Sequence, residues 1–261
     1  VAAGEARGVI GSEFYVMERL EGDVVRFSEP DRFGDPRVRR EVAEGVVETL
    51  VAIHGVDVDG VGLSDFGDPD GFTRRQVERW TEQIGWAFEE TTEEREVPAL
   101  LEVGDWLAEN APEENPCALV HGDYKLDTLV FDPDGPRVAG VLDWEMSALG
   151  DPLCDLGWLL FFWRDENDEE SKITQTMLPQ FTKGDGYPSR DKLVKMYEDR
   201  AGVTVENPRF YRVLAAYKMC ALGEMFYARY LMGNSDSTFY AMMEDGVPLL
   251  AEDALRMTEE I

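Results

Sequence analysis

Two short acidic constellations carry the chemistry available to this sequence. His121-Gly122-Asp123 opens the stretch HGDYKLDTLVF, and Asp143, in Leu142-Asp143-Trp144-Glu145, follows 20 residues after Asp123. Each carboxylate stands just past a short β-prone run, Ala118-Leu119-Val120 for the first and Val138 to Leu142 for the second. Paired strand-end carboxylates suit phosphoryl transfer: one orients or deprotonates the attacking hydroxyl, and the other holds Mg²⁺ against nucleotide phosphates. Little covalent work is asked of such a site; placement and charge neutralisation lower the barrier. An isolated His-Gly-Asp is more often only a turn, so the reading rests on the pair. A third element, GDPLCDLGWL over 150–159, sets Asp155 at the opening of an apolar helix, where a plain helix cap also stands. Asp123, Asp143 and Asp151 together leave a metal-dependent hydrolase as a rival, although no histidine cluster accompanies them.

The elements that must position these residues follow from periodicity. Leu129-Val130-Phe131 and Val138 to Leu142 flank DPDGP at 132–136, a strong turn signal, so they predict a β-hairpin with acids at its ends. Residues 14–20 (FYVMERL) read as a buried strand with a polar exit. Val42, Val46, Leu50 and Ile53 recur at helical spacing over 38–54, and Val77, Trp80 and Ile84 do so over about 73–92. A third helix is expected at about 97–109. Loop composition marks 59–70, and the glutamates of 89–96 read as a solvated helix end. After residue 150 the pattern turns helical at 155–163, 189–200, 207–231 and 236–257, with 164–172 as an acidic connector. The sum is a mostly helical domain around a small β insert, without repeats or low-complexity segments.

Composition bounds the rest. Among 261 residues, 54 acidic side chains face 25 basic ones, six of them lysine, for a formal charge of -29. The excess runs along the whole chain and reads as a surface kept hydrated in concentrated salt; an ordinary acidic protein is the plainer alternative. Such a surface repels nucleic acid and anionic membranes. Cys117, Cys154 and Cys220 form no CxxC pair, which reads as reduced thiols in a cytoplasmic protein. The longest apolar run, around Trp158 to Trp163, falls far short of the ~20 residues of a membrane helix. VAAGEARG at the N-terminus lacks a secretory layout.

The stretch HGDYKLDTLVFDPDGPRVAGVLDWEMSALGDPLCDLGWLL resembles the catalytic segment of the aminoglycoside phosphotransferase/choline kinase superfamily. Its branch resembles the kinase-like domains found with acyl-CoA dehydrogenases. FYVMERLEG (14–22), DFGDPDGFTRRQVERW (65–80) and GYPSRDKLVKMYEDRAG (186–202) are similar to that branch's hinge strand, spacer and C-terminal helices. The resemblance implies an α+β, protein-kinase-like fold: a remnant of the small lobe and hinge over 1–22, then the α-rich C-terminal lobe over 23–261, with a short β-hairpin at the site. It implies ATP and Mg²⁺ as cofactors and a hydroxyl of a small molecule as acceptor. Asp123 would be the catalytic base and Asp143 the principal Mg²⁺ ligand. His121, Gly122 and Asp155 would support the catalytic loop, His121 by packing, while His54 would be structural. Met17 would line the adenine pocket, with the backbone of Glu18 and Leu20 at the adenine edge. Asp127 and Glu145 would be further substrate or metal contacts.

Two departures from the family pattern bear on activity. Thr128 stands where the family places an asparagine as second metal ligand, so Thr128 is the expected metal contact there. No lysine precedes Lys125, whereas the family's small lobe carries one against the phosphates; that lobe is expected in cis or as a separate chain. A catalytically impaired pseudokinase that binds a partner is the alternative these departures favour.

Overall fold

A computed structural model of the chain describes residues 2–4, 11, 14–91, 95–112, 115–168 and 171–259. In chain order the strands and helices are β1 (Ala2–Gly4), β2 (Phe14–Val16), β3 (Asp23–Val24), α1 (Pro36–His54), α2 (Phe72–Thr91), α3 (Pro98–Glu109), β4 (Ala118–Val120), β5 (Leu129–Phe131), β6 (Val138–Val141), β7 (Ala148–Gly150), α4 (Leu153–Phe162), α5 (Lys172–Met177), α6 (Arg190–Ala201), α7 (Pro208–Leu231), α8 (Thr238–Ala241) and α9 (Met243–Glu259). This is the mostly helical domain with a small β insert that the pattern predicts, and the α+β class that the resemblance implies.

Local chemistry sets the helix ends. Asp35 caps α1 by accepting from the Arg37 amide at 2.8 Å, and Pro36 occupies the first turn, where its missing N–H leaves nothing unsatisfied. The stripe Val42, Val46, Leu50 and Ile53 is buried, as are Val77, Trp80 and Ile84 of α2. One continuous apolar core results. Helix α7 is its spine and packs against α2, α4 and α9, while α1 packs against α6. Pro248 lies inside α9 and offers no amide to the Glu244 carbonyl one turn back. Arg95 donates to that carbonyl instead, at 3.3 Å, while its guanidinium pairs with the buried carboxylate of Glu224 at 2.7 and 2.8 Å.

Three small antiparallel sheets complete the described fold. β1 pairs with β2, β4 pairs with β7 (Ala118↔Gly150), and β3, β5 and β6 form a three-stranded sheet in that order. β5 and β6 are the expected hairpin, with Leu129 opposite Val141 and an irregularity at Val130/Phe131. Its turn is closed by the Asp132 amide donating to the Arg137 carbonyl at 2.8 Å.

Three expectations need correction. Residues 14–20 are strand only at Phe14–Val16, and Val16, Met17 and Leu20 are exposed, because a two-stranded ribbon covers no face of itself. The connector 164–172 runs into α5, started by Ser171 and Thr174 in a reciprocal cap. The helix expected over 236–257 is two, α8 and α9, divided at Met242. Of the supposed solvated end at 89–96, residues 92–94 lie outside the described residues. No described helix is long and apolar enough to cross a membrane.

Candidate active site

Strand β4 delivers His121-Gly122-Asp123 into a loop that side chains from several elements hold. Asp155, in the first turn of α4, does not cap its own helix. Its Oδ2 accepts from the His121 amide at 2.6 Å and its Oδ1 from the Gly122 amide at 2.8 Å. The carboxylate is buried, with Nε2 of His54 3.3 Å away on a third side. Nδ1 of His54 lies 2.8 Å from the Tyr197 hydroxyl, so α1 and α6 back the same carboxylate. These contacts place Asp155 beneath the loop and make His54 a bridge between packed helices.

His121 is fully buried, and its two ring nitrogens reach different segments. Nδ1 accepts from the Asp123 amide at 3.1 Å, and Nε2–H donates to the Leu142 carbonyl at 2.8 Å. That pairing selects the neutral Nε2–H tautomer. The ring therefore ties the Asp123 loop to the residue preceding Asp143. Gly122 has φ +82°, and a side chain there would collide with the Met146 carbonyl. Only glycine permits so close an approach of the two acidic loops. Tyr124 anchors the loop to α1 by donating to the Val46 carbonyl at 2.7 Å, and burial pushes its phenol well above the usual range.

Asp123 is held by both oxygens. Trp158 Nε1–H donates to Oδ1 at 2.8 Å, and Lys125 Nζ donates to Oδ2 at 2.6 Å. Lys125 also lies 3.0 Å from Asp127, whose other oxygen faces Arg26 at 3.4 Å. Neither Lys125 nor Trp158 was among the expected site residues. A lysine two residues after the acid was a signal in plain view, whereas Trp158 sits in an unbroken apolar run and carried none.

The remaining expected residues fall in different places. Asp143 lies two residues past β6 in a left-handed conformation (φ 64°), uncommon for a residue with a side chain. It is exposed, and its carboxylate takes no hydrogen bond or ion pair among the described residues. A free carboxylate suits a nucleotide-borne Mg²⁺, which takes only one or two carboxylates from the protein beside phosphates and water. Thr128, the expected metal contact, lies within the loop itself. It is buried, and its hydroxyl donates to the Lys125 carbonyl at 2.9 Å while lying 3.3 Å from the Lys125 amide, closing the loop. Glu145 is exposed beside Asp143. Met17, Glu18 and Leu20 are exposed on the chain leaving β2, and Leu20 packs over Gly140 of β6, on the hairpin that carries Asp143. Asp151 is buried apart, accepting from Thr73, Asn115 and Tyr211 at 3.0, 3.0 and 2.7 Å. Among the described residues no three His, Cys, Asp or Glu side chains gather to hold a metal, and Asp151 of the hydrolase trio stands apart in its own polar pocket.

Beside Asp123 opens a cavity of about 600 Å³. Asp123, Lys125, Asp127 and Arg26 form its charged border, and Trp158, Phe162, Met219, Leu222, Phe226, Phe239 and Tyr240 line its body. Phe226 and Tyr240 stack at 4.6 Å between ring centres. The arrangement sets one carboxylate and one ammonium at the edge of an apolar space.

Comparison with known proteins gives this geometry a context. The profile of the phosphotransferase enzyme family matches residues 1–193. Acyl-CoA dehydrogenase family member 11 of Rattus norvegicus is 35% identical over 262 residues, covering 96% of this chain and 31% of the relative. The chain thus spans about a third of the length of the curated relatives it matches. A candidate aminoglycoside phosphotransferase of Ralstonia eutropha JMP134 superposes with a TM-score of 0.85 at 30% identity, over 99% of this chain and 76% of that one. A thermostable mutant of an aminoglycoside phosphotransferase, crystallised with AMP-PNP and hygromycin B, shares the fold at a TM-score of 0.51 and 18% identity, over 87% of this chain and 68% of that one.

Proposed function

Because the chain belongs to the phosphotransferase enzyme family, we propose that it transfers the γ-phosphoryl group of ATP to a hydroxyl of a small molecule whose body is apolar. The observation that carries this reading is the Asp123 carboxylate, held by Lys125 and Trp158 at the border of a cavity lined mainly by aromatic and aliphatic side chains. An acceptor hydroxyl at that border meets Asp123, which takes its proton as the oxygen attacks phosphorus. Lys125 offsets charge on the transferring group from two residues away. Asp143, whose carboxylate has no partner among the described residues, would hold Mg²⁺, which neutralises phosphate charge when bound. Asp127, ion-paired to Lys125, orients that ammonium. A fold relative crystallised with AMP-PNP supports nucleotide use. The apolar lining favours an acyl or alkyl alcohol over a polycationic acceptor.

The test uses two isosteric variants. Asp143→Asn is expected to abolish Mg²⁺-dependent ATP binding by titration calorimetry with the fold intact. Asp123→Asn is expected to leave binding within about twofold and lower phosphoryl transfer by at least the ~10²-fold typical of a lost general base. Full transfer by Asp123→Asn would refute the base assignment. Binding without turnover in the unmodified protein would instead favour the second reading, a nucleotide-binding pseudokinase, which Thr128, standing where the family places an asparagine, supports.

A further inference from the structure

A second cavity of about 220 Å³ is lined by Gly122 of the catalytic loop and shares Trp158 as a wall with the apolar one. Lys218 of α7 enters it. Its Nζ donates to the Gly122 carbonyl at 2.5 Å, sits 4.0 Å from the centre of the Trp158 rings, and lies 5.6 Å from Trp80. Trp158 is buried, and its indole N–H is the donor to Asp123 Oδ1. An ammonium, an indole and a carboxylate therefore stand in series.

We propose that Lys218 and Trp158 are positioning residues for phosphoryl transfer, fixing the loop at Gly122 and the orientation of the Asp123 carboxylate. The proposal rests on the reading of Asp123 as the base. A carboxylate on a short side chain turns easily about its last bond. Donors on both oxygens, Trp158 on one and Lys125 on the other, remove that freedom and leave the remaining lone pairs in fixed directions. Lys218 acts one step back. A cation on an indole face draws π density toward itself, which polarises the N–H toward stronger donation. Its bond to Gly122, the residue before Asp123, holds the loop that the indole must meet. Neither residue touches the reacting atoms.

The charge on Lys218 is finely set. Enclosure lowers its pKa to about 8, opposed by the carboxylates of Asp123 and Asp155, with Lys125 pushing the same way as enclosure; burial pushes the neighbouring Cys154 thiol up, so it stays neutral there. Arg79 of α2, Glu145 of the Asp143 loop and Tyr211 of α7 line the same cavity. Below about pH 8 the ammonium is present on the indole face, and above it the charge is lost.

The experiment joins a spectroscopic and a kinetic arm in the full-length protein. Trp158→Phe removes one indole N–H peak from the ¹H–¹⁵N spectrum and so assigns it. That peak is expected to move in Asp123→Asn and in Lys218→Met, and to show a pH step near 8 in the wild type that Lys218→Met and Lys218→Arg lack. The kinetic probe is ATP·Mg²⁺ with water as acceptor: water attacks the γ-phosphorus, its proton passes to Asp123, and ADP leaves. Trp158→Phe and Lys218→Met are expected to lower the rate constant at saturation by about tenfold or more, toward the ~100-fold that a 1 Å misplacement produces, with ATP·Mg²⁺ affinity within twofold. Lys218→Arg, which keeps a cation, is expected to recover part of the rate and serves also if Lys218→Met folds poorly. A peak indifferent to Asp123 and Lys218 overturns the series of contacts. A moving peak with unchanged hydrolysis in Trp158→Phe and Lys218→Met, while Asp123→Asn is inactive, overturns the positioning role and leaves the base standing. Equal hydrolysis by wild type and Asp123→Asn overturns the base assignment itself.

Discussion

Replacing Asp155 by asparagine tests the foundation of the site in one isosteric step. The carboxylate accepts from two backbone amides at 2.6 and 2.8 Å, and His54 approaches one of its oxygens. An asparagine keeps one acceptor oxygen and presents an NH₂ where the other stood. In either amide orientation a donor then faces the N–H of His121 or of Gly122, and that buried N–H has no partner. A hydrogen bond to a charged group is worth about 1.5–3 kcal/mol, and a buried donor left unsatisfied costs about 1–3 kcal/mol. The loss overlaps, because the same N–H supplies both figures, so about 2–4 kcal/mol is expected. For a domain of this size that corresponds to a fall in melting temperature of roughly 4–16 °C. Urea unfolding followed by circular dichroism is the assay, read as a shift in midpoint at constant slope. Because Asp123 follows Gly122 directly, phosphoryl transfer is expected to fall by more than nucleotide affinity. An Asp155→Asn protein with the wild-type midpoint would falsify the view that this carboxylate carries the loop.

Further expectations follow from the same contacts. Gly122→Ala places a side chain at φ +82° against the Met146 carbonyl, so a loss of about 3 kcal/mol and of transfer activity is expected by the same unfolding and rate measurements; a fully active alanine variant would show that the two acidic loops need not approach so closely. The formal charge of -29 makes the compact state self-repelling when counterions are scarce. Helical circular dichroism is expected to weaken on dialysis from molar KCl into low salt, and an unchanged spectrum and melting curve would remove the halophilic reading.

Much of this arrangement was legible in the sequence because it rests on short-range rules. The stripe Val42, Val46, Leu50, Ile53 marks one helical face whatever the rest of the chain does, and DPDGP makes a tight turn between β-branched runs by backbone preference alone. The strand-end positions of Asp123 and Asp143 follow from those same local patterns. Where local patterning has no partner information it fails. FYVMERL has the composition of a buried strand, yet its burial depends on what lies across it, and the described ribbon leaves Val16 and Met17 exposed. The family resemblance points to Thr128 as a metal contact, but the direction of its hydroxyl is set by the tight loop that Lys125 begins, which no residue pattern shows. Trp158 lies 35 residues from Asp123 and Lys218 lies 96 from Gly122. Helix α4 is apolar nearly all round, so no periodicity distinguishes the one indole whose N–H meets the carboxylate. That selection is made by the packing of α4 against α7, which brings residues distant along the chain within hydrogen-bond reach and gives each its direction.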